Sequence, residues 1–186
     1  MTSTALSDHL HEVLPEVQRL RQRFAATAPQ QWDAVTAAAE LSAQVGHLSL
    51  CLLRQHGTDV SDYDDPHRPI VDIGDELADI VLAALSIPVL AHFEPATPNR
   101  SPQATNDVEA LLRLLVAAGG LSEAAMVHHR YRHRTEGTPR TLSTASASVI
   151  AACDELARQL GLNPIGEFRA MVNTADQFLN ERTGTS

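Results

Sequence analysis

Eight carboxylates crowd residues 59–79: Asp59, Asp62, Asp64, Asp65, Asp72, Asp75, Glu76 and Asp79. Asp72, Glu76 and Asp79 recur at i, i+4 and i+7, the spacing that places side chains on one face of a helix. Like charges stacked this way repel. A divalent cation would relieve the repulsion, and carboxylate oxygens suit Mg²⁺ or Mn²⁺. The plainer reading is a solvated acidic face, with Asp72 and Asp75 in a first turn where the helix dipole favours acids. Upstream, Glu40, Gln44 and His47 repeat the same spacing. Glu40 and His47 could ligate a metal, and Gln44 could bind one weakly or hydrogen-bond a substrate. Beside a leucine stripe, His47 reads equally well as a partly buried histidine with its own partner.

A second cluster is basic. His128 to Arg134, HHRYRHR, holds three His and three Arg. His129 and Arg130 at its centre could receive a triphosphate through Arg–phosphate contacts. A solvated helix end, where cations suit the dipole, is the competing reading. Arg54 and Arg68 flank the polar loop after the second helix and are further phosphate candidates.

Six helices are needed to position these groups. Apolar spacing and breakers place them at about 5–26, 31–55, 70–91, 106–134, 142–160 and 163–181. Leu41, Val45, Leu48 and Leu52 stripe the second; Ile73, Leu77, Ile80, Ala84 and Ile87 stripe the third. Pro88 is expected to kink or shorten the third, and Gly119-Gly120 to interrupt the fourth. The segment EPATPNRSPQAT holds three of the ten prolines and reads as a linker. The division is then a helical half at 1–93, a linker at 94–104 and a second half at 105–186. LSAQVGHLSLCLL (41–53) aligns with LLVAAGGLSEAAM (114–126) at four positions, so the halves read as a tandem duplication. In the second copy the ligand positions become Ala117, Gly120, Ala145 and Ser148, which cannot hold a metal.

Composition narrows the classes. All 14 basic residues are Arg against 23 acids, a formal net charge of -9. Without lysine there is no Walker A lysine and no Schiff-base lysine. The acidic balance argues against nucleic acid as a partner. Cys51 and Cys153 form no CxxC pair, which suits a reducing, cytoplasmic setting. The polar N-terminus does not read as a signal peptide, and no apolar run is expected to span a membrane. Alanine, leucine and sparse glycine make the chain all-α. An Arg-only, Ala-rich composition suggests a GC-rich bacterial genome.

AAELSAQVGHLSL followed by DIGDELADIVLAAL resembles the MazG-like all-α nucleotide pyrophosphohydrolases, the superfamily of dimeric dUTPases and phosphoribosyl-ATP pyrophosphohydrolase. The family signature is ExxE on one helix and ExxD on the next. Here ExxD falls on Glu76 and Asp79, while ExxE falls on Gln44 and His47, so two of four carboxylates are replaced. The resemblance covers about residues 30–92, and Trp32 stands where the family often has tryptophan. It implies a helical bundle, a nucleotide substrate and Mg²⁺ or Mn²⁺ held by Glu76 and Asp79, with Glu40 and His47 completing the set. Glu40, Glu76 and Asp79 then carry the chemistry. Gln44, Asp72, Asp75, Arg54, Arg68, His129 and Arg130 meet the substrate. The expected reaction opens a nucleoside triphosphate, or a related nucleotide, to monophosphate and pyrophosphate. The alternative is an inactive relative serving as a nucleotide-binding or protein-interaction module. A pseudo-dimer of this kind can still pair again as a homodimer through two-fold symmetry.

Overall fold

The computed structural model describes residues 4–65, 67, 69–99, 103–133 and 136–183. These form an all-helical bundle: a 3-10 turn at Leu6–Asp8, then α1 (Leu10–Thr27), α2 (Ala34–Gln55), α3 (Ile73–Leu90), α4 (Asp107–His128), α5 (Leu142–Leu160) and α6 (Pro164–Thr183). No strand occurs among the described residues.

Each boundary has a local cause. Asp33 starts α2 by accepting from the amides of Val35 (2.9 Å) and Thr36 (2.7 Å). Asp72 starts α3 by accepting from Gly74 (2.9 Å) and Asp75 (3.2 Å), and Asn106 starts α4 through the Glu109 amide (2.8 Å). A side-chain oxygen at this position satisfies donors that the helix itself leaves without partners. Thr141 and Thr144 form a reciprocal capping box at the start of α5. Gly161 ends that helix in the left-handed region (φ 68°), where a side chain would be strained.

Two helical hairpins, α2–α3 and α4–α5, make the centre. They pack with α2 on α4 and α3 on α5. The terminal helices α1 and α6 lie together against α3. One continuous apolar core runs through all six helices, including Leu20, Leu41, Leu48, Ile80, Leu85, Leu114, Leu121, Ile150 and Phe168. α3 is its hub: from Glu76 to Pro88 only Asp79 escapes full burial. Residues 94–99, 103 and 104 run without helix between α3 and α4. They are tied to α5 where the Ala96 amide meets the Ser143 carbonyl (3.0 Å) and the Ala104 amide meets Glu155 (2.5 Å).

The two termini are fastened by charge. Arg19 on α1 makes a paired contact to Asp176 on α6 (2.7 and 2.8 Å), and Arg23 binds Asp176 and Asn180. Arg169 reaches Glu12 at 2.6 Å. Asp154 on α5 accepts from the Leu6 and Ser7 amides (2.6 and 3.1 Å), anchoring the start of the chain.

Three expectations are corrected. Asp72 is the cap of α3 and lies outside the helix, so it does not share a helical face with Glu76 and Asp79. Pro88 lies inside the last turn of α3, which ends at Leu90. α4 passes through Gly119 and Gly120 unbroken, since its other face is pinned in the core by Ala117, Ala118 and Leu121. It ends at His128, so the basic cluster lies mostly beyond the helix. α4 is also, alone among the described helices, long and apolar enough by length and composition to cross a membrane, with 33% of its apolar window buried.

Candidate functional site

α1, α2, α3 and α6 do not close completely on one another. They leave a cavity of about 860 Å³. Glu40 and Gln44 of α2 and Asp75 and Asp79 of α3 line one part of it. Phe24 of α1, Trp32 of the α1–α2 turn and Phe178 of α6 line another, with Leu82, Leu90 and Met171 completing the apolar wall. Ligand cavities of roughly 300–1,000 Å³ with a mostly apolar lining and a few convergent polar groups are the usual small-molecule sites.

Arg21 joins the two parts. Its guanidinium lies 4.9 Å from the Phe24 ring centre and 5.0 Å from that of Trp32. These are cation–π distances. Burial lowers its pKa from the ordinary range, opposed by the charges of Glu40 and Asp79. Arginine stays protonated regardless. The chain thus sets its own cation near two of its acids. The buried Nε of Arg21 has no hydrogen-bond partner among the described residues.

Behind the cavity runs a row that links α2 to α3. Gln44 Nε2 donates to Glu40 Oε1 (2.8 Å), and Gln44 Oε1 faces His47 Nδ1 (2.9 Å). An amide oxygen only accepts, so Nδ1 of His47 carries the proton. The same nitrogen lies 3.3 Å from Oε2 of Glu76, which is buried on α3. Acceptors and donors alternate along the row, from carboxylate to amide to imidazole. Carboxylates at positions 44 and 47 would have supplied acceptors only, and would have needed an external cation.

Gly74 leaves room for a side chain of α6. A Cβ there would stand 2.8 Å from Cδ and Oε2 of Glu167. The glycine lets that side chain lie over the start of α3, next to Asp75. Asp75 is exposed at the cavity edge. Partial burial, and then the neighbouring charge of Asp72, raise its pKa above the ordinary carboxylate value.

The remaining candidates lie elsewhere. Arg54 donates to the Ile70 carbonyl and to Asp64 (2.6 Å), so it fastens the 58–72 loop onto α2. His129 sits just past α4, where its charge acts on Asp33, the cap of α2. Arg130 follows in a left-handed turn (φ 61°). Neither lines the cavity. Arg68 lies outside the described residues.

Sequence reasoning missed Arg21, Phe24 and Phe178 as lining groups. Arg21 and Phe24 carried a local signal, an i, i+3 cation–aromatic pair on α1. Phe178 carried none, because α6 meets α1 and α3 only in the folded chain.

The oxygen donors of Glu40, Asp75 and Asp79 suit a hard divalent ion in chemistry. Among the described residues no three His, Cys, Asp or Glu side chains are gathered as a ready ligand cage. Mg²⁺ rarely needs one, since it is usually held by one or two carboxylates together with substrate phosphates and water. No protein-family model matches the chain, and no significant match was found among curated proteins or solved structures.

Proposed function

We propose that this chain is a metal-dependent nucleotide pyrophosphohydrolase, opening the α–β anhydride of a nucleoside triphosphate or related nucleotide with water. The observation that carries the reading is one cavity lined by Glu40, Asp75 and Asp79 and also by Phe24, Trp32 and Phe178. Nucleotides need both kinds of surface. A base is flat and stacks on aromatic rings. A triphosphate is accepted among carboxylates only as its Mg²⁺ or Mn²⁺ complex.

Glu40 and Asp79 would hold the ion, and Glu76 would support them through His47. The ion would neutralise the phosphate charge that develops during transfer. The protein's own part is positional. Trp32 and Phe24 fix the base, and Arg21, which also lines the cavity, offers its guanidinium to a ligand oxygen. Asp75, with its raised pKa, is placed at the edge to take a proton from water. Buried, free Cys51 and Cys153 suit a cytoplasmic setting.

The test is a screen of nucleoside triphosphates for pyrophosphate release with Mg²⁺ and with Mn²⁺. The expected products are monophosphate and pyrophosphate, with turnover lost in Glu40→Gln and Asp79→Asn. No turnover with either ion across the panel overturns the hydrolase.

One observation favours a second reading, a nucleotide-binding or protein-interaction module without turnover. Along Glu40, Gln44 and His47 the polar groups meet one another without a cation. On that reading nucleotides bind in the cavity and are released unchanged.

A further inference from the structure

The α4–α5 hairpin has a cavity of its own, of about 680 Å³. The register that aligns residues 41–53 with 114–126 sets Arg113 opposite Glu40 and Ala117 opposite Gln44. In the helices that follow, the register with Ser148 opposite Asp79 sets Thr144 opposite Asp75 and Ala151 opposite Leu82. All of these residues line their respective cavities. The two hairpins therefore open at equivalent places, and what differs is the chemistry.

The charge is inverted. The first cavity sets Glu40, Asp75 and Asp79 against Arg21. The second sets Arg113 and Arg140 against Glu109. Arg113 is paired with Glu109, which also accepts from the Thr105 hydroxyl and amide (2.6 and 2.8 Å). Arg140 meets a neutral partner, donating to Ser148 Oγ at 2.8 Å. That bond holds its guanidinium against α5 and uses one of five N–H donors. Its positive charge is therefore in excess. Thr97 and Asn99, on the segment tied to α5 through the Ala96 amide, line the same cavity. The rest of the wall is aliphatic, with Leu112, Val116, Ala147 and Ala152. Among the described residues no aromatic ring lines it, so nothing there stacks on a base.

We propose that this cavity is a second ligand site, taking an organic anion with an aliphatic body and no metal ion. Arginine receives phosphate and carboxylate heads through paired N–H bonds. The cavity has the size and the mostly apolar lining of a small-molecule site. Where the first cavity needs a cation before it accepts an anion, Arg113 and Arg140 supply the positive charge themselves.

Calorimetry on the full chain in chelator, with hexyl phosphate and hexanoate as probes, tests the assignment. At least one is expected to bind saturably with a Kd below about 1 mM, and the tighter of the two names the head group. Arg140→Gln is expected to weaken that binding at least about tenfold, as the loss of a charged hydrogen bond implies. Glu40→Gln and Asp79→Asn are expected to leave it unchanged, which separates the probe from the first cavity. Hexylammonium is expected not to bind. Absence of binding by both anions overturns the proposal. So does binding that Arg140→Gln leaves intact, binding lost in the first-cavity variants, or equal binding of hexylammonium. Pyrophosphate release from nucleotides reports on the first cavity alone, so the second site stands or falls separately from the hydrolase.

Discussion

His47 Nδ1 stands 3.3 Å from Glu76 Oε2, and the same nitrogen meets the Gln44 amide oxygen at 2.9 Å. The His47 ring therefore sits between an amide of its own helix and a buried carboxylate of α3. This arrangement exists because positions 44 and 47 carry side chains that can donate. With acids at both, four carboxylates would face one another and the row would depend on a bound ion.

That difference can be measured in both directions. In the double variant Gln44→Glu, His47→Glu, Mn²⁺ affinity should rise by at least about tenfold, or 1.4 kcal/mol, read by calorimetry. In chelator the same variant should melt lower, by about 1–3 kcal/mol, because it buries acids without partners. Unchanged metal affinity would remove α2 from any role in holding the ion.

The chain has one tryptophan, Trp32, and it lines the cavity beside Arg21. Its fluorescence should therefore report occupancy directly. Nucleotide with Mg²⁺ should change the emission in a saturable way. Trp32→Phe should keep binding but abolish the signal, and Trp32→Ala should weaken binding by about 1–3 kcal/mol, the usual worth of base–aromatic stacking. An emission spectrum indifferent to every nucleotide tested would leave the aromatic wall without a base to stack.

The bundle was readable because helix starts depend on nearby residues. Asp33, Asp72, Asn106 and Thr141 each cap a helix within three residues of themselves. The acidic half of the cavity was readable for the same reason: Glu40 and Gln44 share one helical face, and Asp75 and Asp79 another. The aromatic half was not, because Phe178 reaches it only through the packing of α6 on α1 and α3. Periodicity also mistook Asp72 for a helical residue, since spacing alone does not separate a cap from a first turn. The basic cluster was visible as composition, but its place beside the cap of α2 depends on how α4 lies against α2.

Acid should unfold the protein partly through Glu155. Its carboxylate accepts from Arg158 (2.7 and 3.0 Å) and from the Ala104 amide (2.5 Å), and the Arg158 contact leads in holding its pKa down to about 2 from 4.5. A depressed folded value means the stabilisation is present above pH 4.5 and drains away as pH falls toward 2. Asp154 works in the opposite sense: burial raises its pKa, so its contribution declines as pH rises past the ordinary carboxylate value of 3.8. Glu155→Gln should cost about 2 kcal/mol at pH 7 by urea denaturation and should flatten the loss of stability below pH 4.5. An acid limb as steep as in the parent would place the sensitivity elsewhere.

Two glycine-to-alanine changes should move stability in opposite directions. Gly46 lies exposed in the middle of α2 with nothing within 4 Å of a prospective Cβ. Alanine there gains helix propensity without a clash, so Gly46→Ala should stabilise by about 0.5–1 kcal/mol. Gly74 sits in the first turn of α3, where the added carbon would meet Cδ of Glu167 at 2.8 Å. Gly74→Ala must displace the end of that flexible side chain and should destabilise by at most about 1 kcal/mol. The pair Gly74→Ala, Glu167→Ala removes the obstacle and should recover most of the loss, which thermal melts of the four proteins would show. If Gly74→Ala is silent alone, the Glu167 side chain yields freely, and the approach of α6 to the acidic edge of the cavity is set by the Arg19–Asp176 contact instead.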